Sequence, residues 1–201
     1  MNSKMIPVAI INPDAAPESL EAKQPAIDNG ADIYGKDGYF SLDQMEREWE
    51  KVWTESWLIA GVSSDLQSVG DYFLFRVRNE SIIVTKTEEG VKAFYNVCPH
   101  RGARLLSEER GNKKVFVCPF HSWSFRNSGE LRTITDEETF QDAVICHRPG
   151  LTSVACDEHA GLIFISMADN PPALPEAIGL PAGYLENYQI DKMRVVRHVR
   201  S

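Results

Sequence analysis

Cys98-Pro99-His100 and Cys118-Pro119-Phe120-His121, set seventeen residues apart, decide how this sequence is read. Each stretch offers one thiol and one imidazole. Each also follows an apolar, strand-like run, Val91 to Val97 before the first and Val115 to Val117 before the second. Two matched loops at neighbouring strand ends would therefore project all four side chains toward one point.

Two metal groups suit a donor set of two thiolates and two imidazoles. Zinc is one, because four-coordinate sites of this composition are common and structural. A 2Fe-2S cluster with both cysteines on one iron and both histidines on the other is the second. Zinc modules usually place two to four residues inside a ligand pair, whereas Pro99 alone separates Cys98 from His100. The pattern C-x-H-x17-C-x2-H favours iron, with zinc as the competing reading.

The segments around these loops read as strands. Trp57 to Val62 is a short apolar run, and Asp71 to Val77 and Ser81 to Thr87 flank a turn at Arg78-Asn79-Glu80. A second turn, Glu88-Glu89-Gly90, leads into Val91 to Val97 and the first ligand loop. A turn at Gly111-Asn112 and a strand over Lys113 to Val117 lead to the second. Trp123 to Arg126 and Glu130 to Ile134 then flank Asn127-Ser128-Gly129. Leu151 to Cys156 and Leu162 to Met167 form a further hairpin around Asp157 to Gly161. Strands of this length and spacing predict an antiparallel sandwich or small barrel. Gly102 is expected to let the first loop turn tightly. Trp123 is expected either to shield the metal or to serve in the core.

Before the strands, Pro7, Pro13, Pro17 and Pro25 punctuate an irregular arm over residues 1–38. A helix is expected from Ser41, capped by Ser41 with Gln44 reaching back. Leu42, Met45, Trp49, Val52 and Trp53 would pack its apolar face into the core. After the strands, Thr135 to Asp142 is a polar, acidic excursion. Pro171, Pro172, Pro175 and Pro181 mark an exit segment with a short helix at Leu174 to Ile178, and Ile190 to Arg200 reads as a strand.

The 201 residues, 43% hydrophobic and 25% charged, have the composition of a globular protein. The apolar run Ile6 to Ile11 is too short for a secretory core and is broken by Pro7, so neither a signal peptide nor an anchor is expected. A cytoplasmic protein is expected. Cys146 and Cys156, outside the metal stretches, are expected as reduced, inert thiols. A net charge of -8 without a basic tail argues against nucleic acid. From Cys98 to Arg132, however, seven basic residues (Arg101, Arg104, Arg110, Lys113, Lys114, Arg126 and Arg132) outnumber the acidic Glu108, Glu109 and Glu130. Such a patch would favour a reduced, more negative cluster and could steer an acidic electron carrier; for Lys113 and Lys114, beside Gly111-Asn112, a plain solvated face is an equal reading. Arg101 and Arg104 are expected to support the cluster itself. His147 and His159 are expected as surface or structural histidines.

The stretches CPHRGARL (Cys98 to Leu105) and CPFHSWSF (Cys118 to Phe125) resemble the two cluster-binding loops of Rieske proteins. They are most similar to those of the large (alpha) subunit of Rieske non-haem iron, aromatic ring-hydroxylating oxygenases. Respiratory Rieske proteins carry an extra cysteine in each loop, and Arg101 to Leu105 and Ser122 to Phe125 contain none. The resemblance covers roughly residues 40–200 and implies a mainly β fold, an antiparallel Rieske-type β-sandwich with two cluster-binding hairpin loops, preceded by the arm and helix. It also implies a 2Fe-2S cluster held by Cys98, His100, Cys118 and His121. The organisation expected is an arm over 1–38, a Rieske domain with its leading helix over 39–170, and an exit segment over 171–201.

In that family, electrons pass from a reductase or ferredoxin to the Rieske cluster, then to a mononuclear iron that activates dioxygen. That iron is held by two histidines and a carboxylate in a C-terminal catalytic domain. Of the histidines outside the four ligands, His147, His159 and His198, none has the spacing of such a triad. The mononuclear Fe(II) is therefore expected only in a catalytic domain missing from this sequence. The expected partners are a ferredoxin or reductase donor and the catalytic domain of the same or a neighbouring subunit, in a homo- or hetero-oligomer, with no membrane. A free-standing Rieske ferredoxin and a zinc-stabilised interaction module are the alternatives.

Overall fold

Ile82-Ile83-Val84 is an unbroken apolar run, and all three side chains are fully buried. A strand can bury every residue only if both faces of its sheet are covered, and the architecture follows from that requirement. The computed structural model describes residues 35–140 and 150–193. The chain divides into two units between Met45 and Glu46.

Among the described residues of the second unit, ten antiparallel strands form two sheets. The larger runs β1-β10-β9-β4-β3-β2-β5, and the smaller is β6-β7-β8. In chain order the strands are β1 (Trp57–Val62), β2 (Asp71–Val77), β3 (Glu80–Thr87), β4 (Gly90–Tyr95), β5 (Arg110–Asn112), β6 (Val115–Val117), β7 (Ser124–Arg126), β8 (Leu131–Thr133), β9 (Ser153–His159) and β10 (Leu162–Ser166).

Alternation along β2, β3 and β4 sends side chains to two cores. Tyr72, Leu74, Ile83 and Phe94 pack against Phe116 and Phe125 of the small sheet, together with Cys98 and Cys118. Phe73, Ile82, Val84 and Ala93 pack against Val154, Ile163 and Ile165. The second core requires the large sheet to curl, since β10 and β2 are far apart in strand order yet share it. Gly61 on β1 lies so close to the Phe73 ring of β2 that a Cβ there would sit 2.7 Å from Cζ. The absence of a side chain at Gly61 lets the sheet close.

The mainly β, antiparallel sandwich that the sequence predicts is the one observed, and β1, β2 and the helix Leu174–Ile178 fall at the expected residues. Three local expectations need correction. Arg110–Asn112 is a strand and not a turn: it pairs with β2, Asn112 Nδ2 donating to Asp71 Oδ1 at 2.8 Å, and the Tyr72 ring packs where a side chain on Gly111 would stand. Asp157-Glu158-His159 continues β9 instead of turning, because Leu162, Ile163 and Phe164 offer it a ladder. The turn is Ala160-Gly161, both at positive φ, as a two-residue hairpin demands. Ile190–Lys192 is a 3-10 turn ending at an extended Met193, and the expected strand beyond it, residues 194–200, lies outside the described residues.

The helical segment is also corrected. Ser41 Oγ accepts the Gln44 N–H at 3.4 Å, as a cap should, at the start of α2 (Leu42–Glu48), which follows α1 (Asp37–Phe40). From Trp49 to Trp53 the chain is a π-helix. Its apolar residues are not core: Leu42 is 72% exposed, and Met45, Val52 and Trp53 are exposed as well. The two cores are built from strand and loop side chains. Trp49 lies under the Arg78 guanidinium, 5.2 Å from its ring centre, and Arg78 in turn binds Glu46. The helix near the chain's end is α3 (Leu174–Ile178).

Candidate metal centre

The two ligand stretches fold into loops with the same backbone hydrogen bonds. In the first, the Cys98 N–H donates to Ala103 O at 2.8 Å and the Gly102 N–H to Cys98 O at 2.9 Å. In the second, the Cys118 N–H donates to Trp123 O at 2.8 Å and the Ser122 N–H to Cys118 O at 3.0 Å. The fourth residue after each cysteine is left-handed, Gly102 at φ 71° and Ser122 at φ 58°. The tight turn expected of Gly102 is present, and a serine performs it in the other loop.

Both thiols are buried, Cys98 1% and Cys118 2% exposed, and neither is in a disulfide. Both lie in one buried core cluster, with Cys118 near enough to Cys98 to push up its ionisation. The two imidazoles also meet, ring centres 4.7 Å apart and planes at 61°. Across the loops, thiol thus pairs with thiol and imidazole with imidazole. No group of three or more His, Cys, Asp and Glu side chains among the described residues is gathered to hold a single ion.

His121 Nδ1 is buried and has no hydrogen-bond partner. A buried imidazole nitrogen left alone is costly, and a metal bond at that atom removes the deficit. On this atom and on the chemistry of the donors, the residues fit the cluster. Burial, with Cys118 beside it, pushes the Cys98 thiol above its usual range, while N–H groups of His100 and Arg101 donate to its sulfur and pull the other way. Metal binding must therefore displace protons from the thiols. His100 is held below the ordinary histidine range by burial, then by His121 and Arg101.

Trp123, expected either to shield the metal or to serve in the core, is a core residue that also packs on a candidate ligand. It is buried, and its ring stacks on His100 with centres 4.6 Å apart and planes within 4°. Phe140 packs edge-on against His100 and Trp123, at 6.0 and 5.8 Å. The sequence reading missed Phe140, although a lone aromatic in a polar, acidic stretch was the available signal. His121 is covered by Phe120, ring centres 3.9 Å apart, and Phe120 is itself 57% exposed.

Asn96 was also missed. It is 4% exposed. Its Oδ1 accepts the Leu105 and Leu106 N–H groups at 3.1 and 2.9 Å, and its Nδ2 donates to Leu106 O at 2.7 Å and Ser81 Oγ at 3.1 Å. A polar residue closing an apolar run two positions before a ligand was the sign to look for.

Arg101, Arg104, Lys113, Lys114 and Arg132 are exposed, while Arg110 pairs with Asp65 and Arg126 with Glu130. Arg104 lines an open groove of about 260 Å³ with Glu80, Tyr95 and Asn96. His159 pairs with Glu186 at 3.5 Å, a structural role as expected. Cys156 is partly buried, and burial, followed by Asp157 and Glu158, pushes its thiol up to about 12. Cys146, His147, His198 and the arm to residue 34 lie outside the described residues.

Comparison with known proteins agrees with this geometry. Residues 56–149 match the family described as the Rieske [2Fe-2S] domain. The carnitine monooxygenase oxygenase subunit of Escherichia coli (strain K12) is 36% identical over 150 residues, 74% of this chain and 40% of that protein. The large oxygenase component of the naphthalene 1,2-dioxygenase system of Pseudomonas aeruginosa is 34% identical over 145 residues, 71% of this chain and 32% of that protein. A solved quaternary ammonium Rieske monooxygenase, described for carnitine oxidation by gut microbiota and for inter-subunit electron transfer, superposes with a TM-score of 0.66 at 30% identity. That match covers 76% of this chain and 42% of the other. The chain spans 40% of the length of the curated monooxygenase subunit.

Proposed function

Because this chain belongs to the Rieske proteins, with its Rieske [2Fe-2S] domain at residues 56–149 and homology to Rieske oxygenase large subunits, we propose that it is the electron-accepting part of such a subunit. It takes one electron at a time from a ferredoxin or reductase and passes it to a mononuclear iron in the catalytic domain of the same or a neighbouring subunit. The observation that carries this reading is the pairing across matched loops, thiol to thiol and imidazole to imidazole, with His121 Nδ1 buried and partnerless.

Cys98 and Cys118 would hold one iron, and His100 and His121 the other. When bound, the cluster supplies a one-electron couple at a potential that imidazole ligation raises. The N–H groups of His100 and Arg101 stabilise the Cys98 thiolate. Trp123 and Phe140 exclude water from the His100 ring. The buried, partnerless Nδ1 of His121 would be the atom that holds the iron. Exposed Arg101, whose charge acts on His100, would favour the reduced state and help attract an acidic donor.

The domain meets electrons and not substrate, so substrate choice belongs to the oxygen-activating domain. The expectation of aromatic hydrocarbon catabolism by a dioxygenase widens accordingly, since the relatives include monooxygenases named for carnitine and glycine betaine. Limits of 1–38, 39–170 and 171–201 for arm, Rieske domain and exit segment belong to the same proposal. So do a cytoplasmic location and an oligomeric full-length protein. Among the described residues no helix is long and apolar enough to cross a membrane. A free-standing ferredoxin is less well supported, because the relatives described above are oxygenase components.

The test is reduction of the purified chain by an NAD(P)H-driven reductase and ferredoxin, followed by visible absorbance. Uptake of one electron per chain with bleaching is expected. A colourless protein with stoichiometric zinc would select the interaction-module reading instead.

A further inference from the structure

The two ligand loops share their internal backbone bonds, but their bases are closed by different means. Around Cys118, the residues two before and seven after it are Phe116 and Phe125, which are ladder partners in β6 and β7. The equivalent positions around Cys98 are Asn96 and Leu105. Here there is no ladder: β4 stops at Tyr95, and no strand residue follows until Arg110. The Asn96 side chain spans the gap instead, accepting from the N–H groups of Leu105 and Leu106 and donating to Leu106 O. Its second donor bond, to Ser81 Oγ, and its own N–H bond to Ser81 O at 2.8 Å tie this junction to β3.

We propose that Asn96 is a positioning residue that replaces a strand ladder at the base of the first ligand loop and so holds Cys98 and His100 in register with Cys118 and His121. The proposal rests on the reading of those four residues as ligands. An amide is the side chain the position requires. Two converging N–H groups need an acceptor, and the Leu106 carbonyl beside them needs a donor. The arrangement also fixes which end of the amide is oxygen. Aspartate keeps the acceptor and loses the donor; leucine loses both and leaves buried backbone groups unpaired. The second loop is held by backbone pairing and does not depend on any one side chain. A single substitution at position 96 therefore loosens one half of the site and spares the other.

The experiment uses the full chain as wild type and as Asn96→Leu, Asn96→Asp and Ser81→Ala. Ile163→Val, in the core on the opposite face of the sheet, serves as a stability control. The first readout is iron release to a chelator, followed by absorbance. Asn96→Leu should release iron roughly 10–100-fold faster, the range for loss of an outer-shell partner. Ser81→Ala should do so only about threefold faster, with Asn96→Asp in between. The second readout is amide exchange in metal-free protein, which should accelerate at Leu105 and Leu106 but not at Phe116 and Phe125. If Asn96→Leu does not fold, Asn96→Asp carries both readouts. Release at the wild-type rate, equal release from Ile163→Val at matched thermal stability, or exchange that rises equally in both loops would each overturn the proposal. If the wild-type chain binds no iron and sulfide, yet the Asn96 variants show the selective acceleration, the ligand reading fails and the loop closure stands.

Discussion

Ser122 stands in the left-handed region, where Gly102 stands in the matching loop. The left-handed conformation costs an L-residue roughly 1–2 kcal/mol, and nothing within 4 Å would obstruct a Cβ at Gly102. Gly102→Ala should therefore destabilise by about 1 kcal/mol through backbone strain alone, and Ser122→Gly should be neutral or stabilising by a similar amount. Urea denaturation of the two variants checks both signs. Cys156 gives a pH prediction. Its thiol ionises near 12 in the folded protein against 9.0 when unperturbed. A raised pKa contributes stability that is intact below 9.0 and is lost as pH rises toward 12, because the unfolded chain gives up its proton first. Between pH 8 and 10.5 the loss from this residue should be ~2 kcal/mol. It should shrink in Cys156→Ala, as read from urea midpoints at the two pH values; an unchanged difference would contradict it. The four candidate ligands were legible because cysteine and histidine at short spacing have few other uses. Asn96 was not, because its role depends on where β4 ends, and Phe140 was not, because its partners are remote in sequence.

Among the elements, the strands most clearly written in the sequence were those bounded by compact turns, such as β2 and β3. Arg110–Asn112 was misread because a strand of three exposed residues carries no apolar signal, and its pairing is decided by Asp71 and Tyr72 across the sheet. The helix was read correctly as a helix and wrongly as core. Spacing sets which residues share a face, and only the packed sheets decide whether that face is needed. The β9–β10 turn offers a test of how elements are joined. A Cβ on Gly161 would lie 2.3 Å from the Asp191 backbone nitrogen, in a residue already at φ 83°. Strain and overpacking together should make Gly161→Ala destabilising by about 2–4 kcal/mol. A thermal midpoint within a degree of wild type would show that the turn does not bear on the Ile190–Lys192 segment.

The whole chain carries a net charge of -8, while seven basic residues against three acidic ones fall between Cys98 and Arg132 in sequence, Arg101 beside His100 among them. That asymmetry suits a domain that binds a negative donor and stabilises a centre that becomes more negative on reduction. If a proton follows the electron onto a ligand imidazole, the potential should fall as pH rises through the histidine titrations, by about 59 mV per pH unit for one proton per electron. Voltammetry from neutral to alkaline pH would show it, and a flat profile would rule the coupling out. The account as a whole depends on two thiolates and two imidazoles sharing a pair of sulfide-bridged irons. Pulsed EPR of the reduced, purified chain, together with its iron and sulfide content, addresses this most directly. Two irons and two sulfides per chain are predicted, with two imidazole nitrogens coupled to the unpaired spin and one coupling lost in either His100→Cys or His121→Cys. Stoichiometric zinc with no signal, or a signal without nitrogen coupling, would contradict it.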